Sequence, residues 1–274
     1  MCNQISFRLH ARPGGDELIL DRSAHPIIAE AGGPASNAQL MINAIDGEGG
    51  IFGGEQLAAA IRPGSRYLPR SRVVSVEQTT NMGGGRVWPL ERVREVLGVA
   101  REHGLRAHMD GARLMNAVVA SGTSAADFAG GFDTAWLDFT KGLGAPVGAV
   151  LAGSTELMTE AWRWKQQMGG AFRQSGIVAA GCLHALDHHV ERLAEDHENA
   201  RVLADGLSEL GCEVIAPETN IVVFDAPDGF VHGMAERGVE LSGTPDGRVR
   251  AVTHLDVDRA GVESALEAAR ALLA

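Results

Sequence analysis

Lysine is scarce in this chain, and its scarcity bears on the chemistry available. Of the 24 basic residues, 22 are arginine and only Lys141 and Lys165 are lysine. A GC-rich genome would give the same bias without any chemical reason. However, arginine stays charged at working pH and forms no Schiff base, whereas a desolvated lysine can lose its proton and form one. A lysine retained in so arginine-rich a chain therefore marks a position where the amine itself could be required.

Polar side chains follow three strand-like segments at the points where those segments end. The polar ends are residues 77–81 (EQTTN), 110–113 (DGAR) and 140–142 (TKG). In a mostly parallel sheet the carboxyl ends of the strands share one edge, and ligands bind outside that edge. We therefore expect an amine, a carboxylate with an arginine, and a group of amides and hydroxyls to converge there.

This combination suits pyridoxal phosphate. The aldehyde of that cofactor condenses with a lysine amine, and a carboxylate holds its pyridine nitrogen protonated so that the ring can accept electrons. Lys141 and Asp110 are the candidates for these two roles. Taken singly, each residue has an ordinary structural explanation, because an aspartate after a strand is a common turn former and a lysine before glycine is commonly solvated. Taken together, the functional interpretation is favoured.

Other motifs are weaker. His184 and His188 are four residues apart on a predicted helix, but no cysteine or carboxylate completes a metal site at the usual spacing, so no metal is expected. The glycines at 83–85 match neither a phosphate loop nor a dinucleotide fingerprint.

Short apolar segments alternate with longer periodic ones along the first part of the chain. A helix is predicted between Pro89 and Gly104, where apolar residues recur at helical spacing. This rhythm predicts an α/β fold with a mostly parallel central sheet and helices on both faces. The segment 174–210 is predicted to be a long helical stretch, and a compact α+β unit is predicted from about residue 187 onward. We expect a large domain over residues 1–186 and a small carboxyl-terminal domain over residues 187–274.

Charge and composition exclude several classes of partner. The net charge of −11 argues against nucleic acid and anionic membranes, and no apolar run is long enough to span a bilayer. The amino terminus shows no basic stretch followed by an apolar core, so a cytoplasmic location is expected. Cys2, Cys182 and Cys212 are too few and too scattered for a disulfide framework or a zinc cluster.

Four motifs together resemble the low-specificity L-threonine aldolases, which belong to the β-eliminating lyase group of the aspartate aminotransferase fold. The motifs are residues 108–114 (HMDGARL), 140–148 (TKGLGAPVG), 168–174 (MGGAFRQ) and 252–257 (VTHLDV). The resemblance covers nearly the whole chain. It implies an enzyme that uses pyridoxal phosphate to cleave L-threonine, L-allo-threonine or related β-hydroxy-α-amino acids to glycine and an aldehyde.

The resemblance also implies roles for individual residues around the cofactor. Lys141 would form the Schiff base, Asp110 would pair with the pyridine nitrogen, and Arg113 would lie near the ring hydroxyl. His25 would stack on the ring and is the candidate catalytic base. Arg173 is placed near the cofactor phosphate or a subunit contact.

For the substrate, the resemblance assigns the carboxylate to Arg250, whose planar fork suits that group. Thr80 stands where many members of the family carry a histidine near the substrate hydroxyl, which leaves the substrate preference open. The family also implies a homodimer or homotetramer with shared active sites, and the stretch 162–168 is a plausible interface.

A second departure concerns the amino terminus. Residues 1–4 resemble the interior of a family segment, so the usual amino-terminal segment, with its phosphate-binding turn, is expected to be missing or to lie before a misassigned start. Two alternatives therefore stay open. One is another pyridoxal-phosphate enzyme of the same fold, such as a different β-eliminating lyase or a racemase. The other is a truncated, non-catalytic subunit.

Overall fold

The computed structural model describes residues 1–12 and 14–273, and its centre is a six-stranded sheet. The strand order is β2-β1-β3-β4-β5-β6, and every neighbouring pair is parallel except β5 with β6. The strands are β1 (Asp16–Asp21), β2 (Met41–Ile45), β3 (Arg70–Glu77), β4 (Arg106–Gly111), β5 (Thr134–Asp138) and β6 (Ala149–Gly153). The predicted fold class, an α/β fold with a mostly parallel sheet, is confirmed.

Helices cover both faces of this sheet because alternate residues of a strand point to opposite sides. On one face, Leu18 and Leu20 of β1 pack with Phe7 of the first helix. On the other face, Ile19 packs in a cluster with Val93. The helices of this part are α1 (Cys2–His10), α2 (His25–Ile28), α3 (Gly33–Ala38), α4 (Gly54–Ala60), α5 (Leu90–Glu102), α6 (Leu114–Ser121), α7 (Ala125–Ala129), α8 (Thr155–Gln167) and α9 (Gly176–His188).

The rest of the described chain forms a second, antiparallel sheet of four strands in the order β7-β8-β10-β9. Its strands are β7 (Val214–Ile215), β8 (Ile221–Phe224), β9 (Ser242–Gly243) and β10 (Val249–Val252), and its helices are α10 (Leu193–Glu209), α11 (Phe230–Ala235) and α12 (Arg259–Leu273). Leu203 of α10, Phe224 of β8 and Val262 of α12 share one apolar cluster. The domain boundary between residues 186 and 187 stays a prediction, and it falls near the end of α9.

The predicted helical stretch over residues 174–210 is divided in the structure. It is two helices, α9 and α10, separated at residues 189–192. The imidazole Nδ1 of His189 lies 2.6 Å from the carbonyl oxygen of Leu143, and Leu193 packs against Phe139 and Leu143. These contacts with the segment after β5 turn the chain, and they override a composition that favours helix throughout.

A smaller difference lies at one edge of the sheet, where the sequence patterns did not indicate β2. Within residues 1–12 and 14–273, no helix combines the length and the apolar character that a membrane crossing would need.

Candidate active site

Three side chains stand in one row at the carboxyl edge of the large sheet. In the parallel register, Glu77 of β3 is opposite Asp110 of β4, and Asp110 is opposite Trp136 of β5. Residues opposite one another in a sheet point to the same face. The strand register therefore places two carboxylates and an indole side by side.

Asp110 is the buried centre of this row, with only 1% of its surface exposed. Its Oδ2 accepts a hydrogen bond of 2.7 Å from Asn3 Nδ2, and its Oδ1 accepts one of 3.0 Å from the backbone amide of Ala112. Burial raises the pKa of Asp110, while these two hydrogen bonds act in the opposite direction. The carboxylate is held in place but is not fully compensated by its neighbours.

Asn3 of α1 orients several of the surrounding groups. Its Nδ2 donates to Asp110 and also to Glu30 Oε1, both at 2.7 Å. Its Oδ1 accepts from Trp136 Nε1 at 2.7 Å and from His108 Nε2 at 3.0 Å. Burial lowers the pKa of His108 to about 3, so this imidazole is neutral and donates through Nε2. With both ends of its amide engaged, Asn3 fixes the relative positions of α1, β4 and β5.

His25, the predicted base, lies at the start of α2 and is tied to Glu30. Its Nδ1 lies 2.8 Å from Glu30 Oε1, and its side chain is 41% exposed. The hydrogen bond that His25 donates to Glu30 raises the pKa of His25 above its ordinary value, although burial opposes the shift. Burial would raise the pKa of Glu30, but the hydrogen bonds from His25, Asn3 and Gln4 outweigh it and lower that pKa. Since Nδ1 is engaged, Nε2 is the nitrogen available for chemistry.

Lys141 follows β5 and faces the same row. Its Nζ lies 2.7 Å from Oδ2 of Asp138 and 5.5 Å from the centre of the Trp136 ring. The Lys141 side chain is 38% exposed, whereas Asp138 is 6% exposed. The indole of Trp136 lies beneath the amine of Lys141 and donates a hydrogen bond to Asn3. Asn3 in turn donates to Asp110, so Trp136 connects Lys141 with Asp110. The two residues on which the sequence interpretation rests lie at the same edge of the sheet.

Arg113 is buried among the carboxylates of this edge. Burial lowers the pKa of its guanidinium, while Glu77, Asp110 and Asp138 act in the opposite direction. Three acidic side chains from three neighbouring strands thus interact electrostatically with one arginine. The arrangement places positive charge beside the carboxylates without involving the lysine.

Arg250 reaches this edge from β10 of the second sheet. Its Nη2 donates to Asn81 Oδ1 at 2.7 Å, and its Nε is buried with no hydrogen-bond partner among the described residues. Burial, followed by the nearby Arg113, lowers the pKa of Arg250 to about 10, while Glu77 acts in the opposite direction. A buried N–H without a partner is costly, so this position favours an anionic group bound from outside.

Glu77 is a second buried carboxyl of this site whose pKa is raised mainly by burial. Burial and the neighbouring Asp110 raise the pKa of Glu77 to about 7, while a backbone hydrogen bond of 2.9 Å from Asn81 opposes the shift. A carboxyl with this pKa changes charge near neutrality, as residues that transfer protons often do.

Thr80 and Arg173 are predicted site residues whose side chains do not contribute to the group of polar side chains around Asp110. Thr80 is buried, and its Oγ1 accepts a hydrogen bond of 3.2 Å from the backbone amide of Arg86, so its hydroxyl supports the glycine-rich turn. Arg173 lies exposed in the turn before α9 and makes no ion pair with a carboxylate in the described part of the chain.

Five further residues of this edge received no individual role from the sequence, although Glu77 lies within the polar segment 77–81; they are Asn3, Glu30, Glu77, Asp138 and Trp136. Three of them lie at or near strand ends, as Asp110 does, so their positions could have drawn notice. Asn3 and Glu30 carry no such signal. Asn3 reaches Asp110 across 107 positions of sequence, and only the packing of α1 on the sheet brings the two together.

The residues present fit pyridoxal phosphate. Lys141 offers an accessible amine at the sheet edge, and Asp110 offers a buried carboxylate that lacks a full cationic partner. Arg250 reaches the same edge with a buried Nε that has no hydrogen-bond partner among the described residues. Each of these groups answers a different requirement of the cofactor and its substrate.

Comparison with known proteins agrees with this geometry. The family model for β-eliminating lyases matches residues 1–228. The chain is 36% identical over 277 residues to a low-specificity L-threonine aldolase of Escherichia coli, covering 99% of this chain and 81% of the relative. It is 36% identical over 280 residues to a probable low-specificity L-threonine aldolase 2 of Arabidopsis thaliana, covering 97% and 79%.

Solved structures share the fold. A threonine aldolase of Leishmania major matches with a TM-score of 0.85 at 19% identity, covering 99% of this chain and 81% of that one. An aspartate aminotransferase of Thermus thermophilus matches with a TM-score of 0.74 at 18% identity, covering 99% and 77%.

We predict that Glu77→Gln changes how the stability of the cofactor-free protein depends on pH. The folded pKa of Glu77, about 7, lies above the unfolded value of 4.5, so the folded state holds an extra proton between these values. The stability that this proton provides is present at acidic pH and is lost as pH rises toward 7. Relative to wild type, the variant should gain about 2 kcal/mol in the free energy of unfolding between pH 5 and pH 8.

Urea unfolding at the two pH values measures this difference, with Glu263→Gln on the exposed face of α12 as the matched control. If the two variants show the same pH dependence, Glu77 does not carry a raised pKa in the folded chain.

Proposed function

The chain belongs to the β-eliminating lyase family, which confirms the resemblance seen in its sequence, and we propose that it cleaves β-hydroxy-α-amino acids. The enzyme is a lyase that depends on pyridoxal phosphate, and threonine or allo-threonine is the substrate class, with glycine and an aldehyde as products. The observation that carries the proposal is the placement of Lys141 and Asp110 around Trp136 at one edge of the sheet.

Bound pyridoxal phosphate supplies a ring that accepts the electron pair left on Cα when the Cα–Cβ bond breaks. Lys141 would hold the cofactor aldehyde, and Asp138 keeps that lysine in place until it does so. Asp110 would pair with the pyridine nitrogen and keep a proton on it. Because Asp110 is buried and hydrogen-bonded to Asn3, its carboxylate is shielded from water and cannot turn away from the ring position.

The substrate would be bound through its carboxylate by Arg250. The free Nε of this residue donates one hydrogen bond, and Asn81 holds the other end of the guanidinium in place. Arg113 adds positive charge nearby. An amino acid whose carboxylate is fixed in this way presents its side chain in one orientation, which is the condition for selective bond cleavage.

His25 is the residue positioned to take the proton of the β-hydroxyl. Glu30 engages Nδ1, which leaves the Nε2 lone pair of the neutral imidazole as the acceptor. Because the pKa of His25 is raised, the neutral form becomes dominant only at a pH above the ordinary value of 6.5. Thr80 has its hydroxyl engaged by the backbone of Arg86 and so leaves this step to His25.

We predict that Lys141→Ala abolishes covalent capture of pyridoxal phosphate and that Lys165→Ala does not. The chain has two lysines, so the pair is a matched comparison. After borohydride reduction, intact-mass and peptide analysis should show the cofactor on Lys141 in wild type and in Lys165→Ala only. Cofactor fixed to Lys165, or retained covalently in Lys141→Ala, would refute the assignment.

Turnover distinguishes the reaction itself. Wild type incubated with L-threonine, L-allo-threonine and phenylserine should release glycine and an aldehyde from at least one of them, and Lys141→Ala should release neither. Turnover of a different amino acid, with no glycine from these three, would favour the alternative lyase or racemase.

Assembly with a second copy of the chain is part of the proposal. Only Ala185 among the thirteen residues of α9 is buried, although the helix is mostly apolar. Ile177 is 90% exposed and Leu183 is 61% exposed, and Phe172 precedes them with its ring also exposed. Single chains seldom expose so continuous an apolar surface. The predicted interface at residues 162–168 adjoins α9 in sequence, and Trp162 there is exposed as well.

We predict that Leu183→Asp dissociates the assembly. A charge on the apolar face of α9 would have to be buried without a partner in the interface, which is strongly unfavourable. Light scattering after gel filtration should give a multiple of the chain mass for wild type and the mass of one chain for the variant. Tyr67→Asp, at an exposed residue outside this face, is the control. A variant with wild-type mass would contradict the assignment of α9.

A further inference from the structure

A polar cavity lies at the opposite edge of the large sheet from the candidate active site. It has a volume of about 430 Å³. Arg72 lies near the start of β3, and Arg106 is the first residue of β4, so the cavity is at the amino ends of strands whose carboxyl ends carry Glu77 and Asp110. Arg72 and Glu77 are five positions apart on β3, which corresponds to roughly 16 Å. We call it the amino-edge cavity.

The amino-edge cavity contains more positive than negative charge. Four arginines line it, which are Arg12, Arg72, Arg101 and Arg106, with one carboxylate, that of Asp133. Asp133 pairs with Arg106 at 2.6 Å. Among the described residues, no carboxylate oxygen lies within 4.0 Å of the guanidinium groups of the other three arginines. The cavity thus has three arginines without an ion pair, in a chain whose net charge is −11.

This arrangement is electrostatically unfavourable for the empty protein. Arg72 donates its Nε to the carbonyl oxygen of His10 at 3.2 Å and is partly buried. Burial, then the positive charges of Arg12 and Arg106, lower the pKa of Arg72, while Asp16 opposes the shift. Like charges that are held together in this way repel one another, and a bound anion would remove the repulsion.

Ordinary structural roles account for only part of the cluster. Arg101 lies in the last turn of α5, where a positive charge interacts favourably with the carbonyl end of the helix. Arg106 is satisfied by Asp133. Neither of these roles applies to Arg12 and Arg72, which line the same cavity from different segments of the chain.

We propose that the amino-edge cavity binds a phosphate group. Guanidinium forks match the oxygens of phosphate in geometry and charge, and several of them around one cavity favour a multiply charged anion over chloride. The volume of about 430 Å³ has room for a phosphate monoester as well as for free phosphate. Because the cavity is on the other edge of the sheet, this phosphate site is separate from the cofactor phosphate and does not depend on the proposed function.

Titration calorimetry tests the proposal with inorganic phosphate and with glycerol 3-phosphate as probes, at constant ionic strength in chloride. The protein is first loaded with pyridoxal phosphate, so that the cofactor position is filled. Saturable binding of one phosphate group per chain is expected. Tighter binding of inorganic phosphate would identify free phosphate as the ligand, and tighter binding of glycerol 3-phosphate would identify an ester.

Variants locate the binding. Arg101→Gln and Arg72→Gln should each weaken it by about tenfold, since each removes a charged donor. Arg101 is exposed and makes no side-chain hydrogen bond within the described residues, so its variant should fold normally even if Arg72→Gln does not. Arg94→Gln, on α5 but outside the cavity, should bind as wild type does.

Absence of saturable binding at millimolar phosphate, or equal affinity in Arg101→Gln and Arg94→Gln, would overturn the proposal. The same comparison can be made with cofactor-free protein, because the variants themselves assign the site. A failure to bind pyridoxal phosphate would therefore refute the proposed function and leave this test intact.

Discussion

A carboxylate buried at the carboxyl end of β4 is the constraint on which the rest of the site depends. Burying a charge is costly unless hydrogen bonds and an opposite charge compensate it. Asp110 has the hydrogen bonds, from Asn3 and from the backbone of Ala112, but its raised pKa shows that compensation is incomplete. A protonated ring nitrogen bound against Asp110 would supply the opposite charge. The unfavourable free energy of burying Asp110 in the free protein is thus relieved when a cationic partner binds, which strengthens that binding.

The surrounding elements are arranged to keep this carboxylate in one position. Asn3 joins α1 to β4 and, through Trp136, to β5, and its other bond to Glu30 extends the connection to His25. The proposed base His25, through Glu30, and the carboxylate of Asp110 are therefore connected by the same amide. Arg250 comes from the second sheet, so a shift of that sheet would move the proposed substrate carboxylate site relative to Lys141 and Asp110.

The sequence predicts those parts of the site that follow from local patterns. Lys141 and Asp110 can be identified because they end strand-like segments and because lysine is scarce. Asn3 and Glu30 cannot, since their roles come from contacts between segments far apart in sequence. The same limit applies to the fold. The central strands are evident from composition, but the break between α9 and α10 is not, because it depends on contacts with Leu143 that no local pattern reveals.

The central claim is that Asp110 keeps a proton on the ring nitrogen of pyridoxal phosphate, and nitrogen NMR measures this directly. Protein loaded with cofactor labelled with ¹⁵N in the ring should show a protonated nitrogen in wild type at pH 8. Asp110→Asn should show an unprotonated nitrogen under the same conditions, because the amide provides no negative charge. An unprotonated nitrogen in wild type, or equal protonation in the two proteins, would contradict the account.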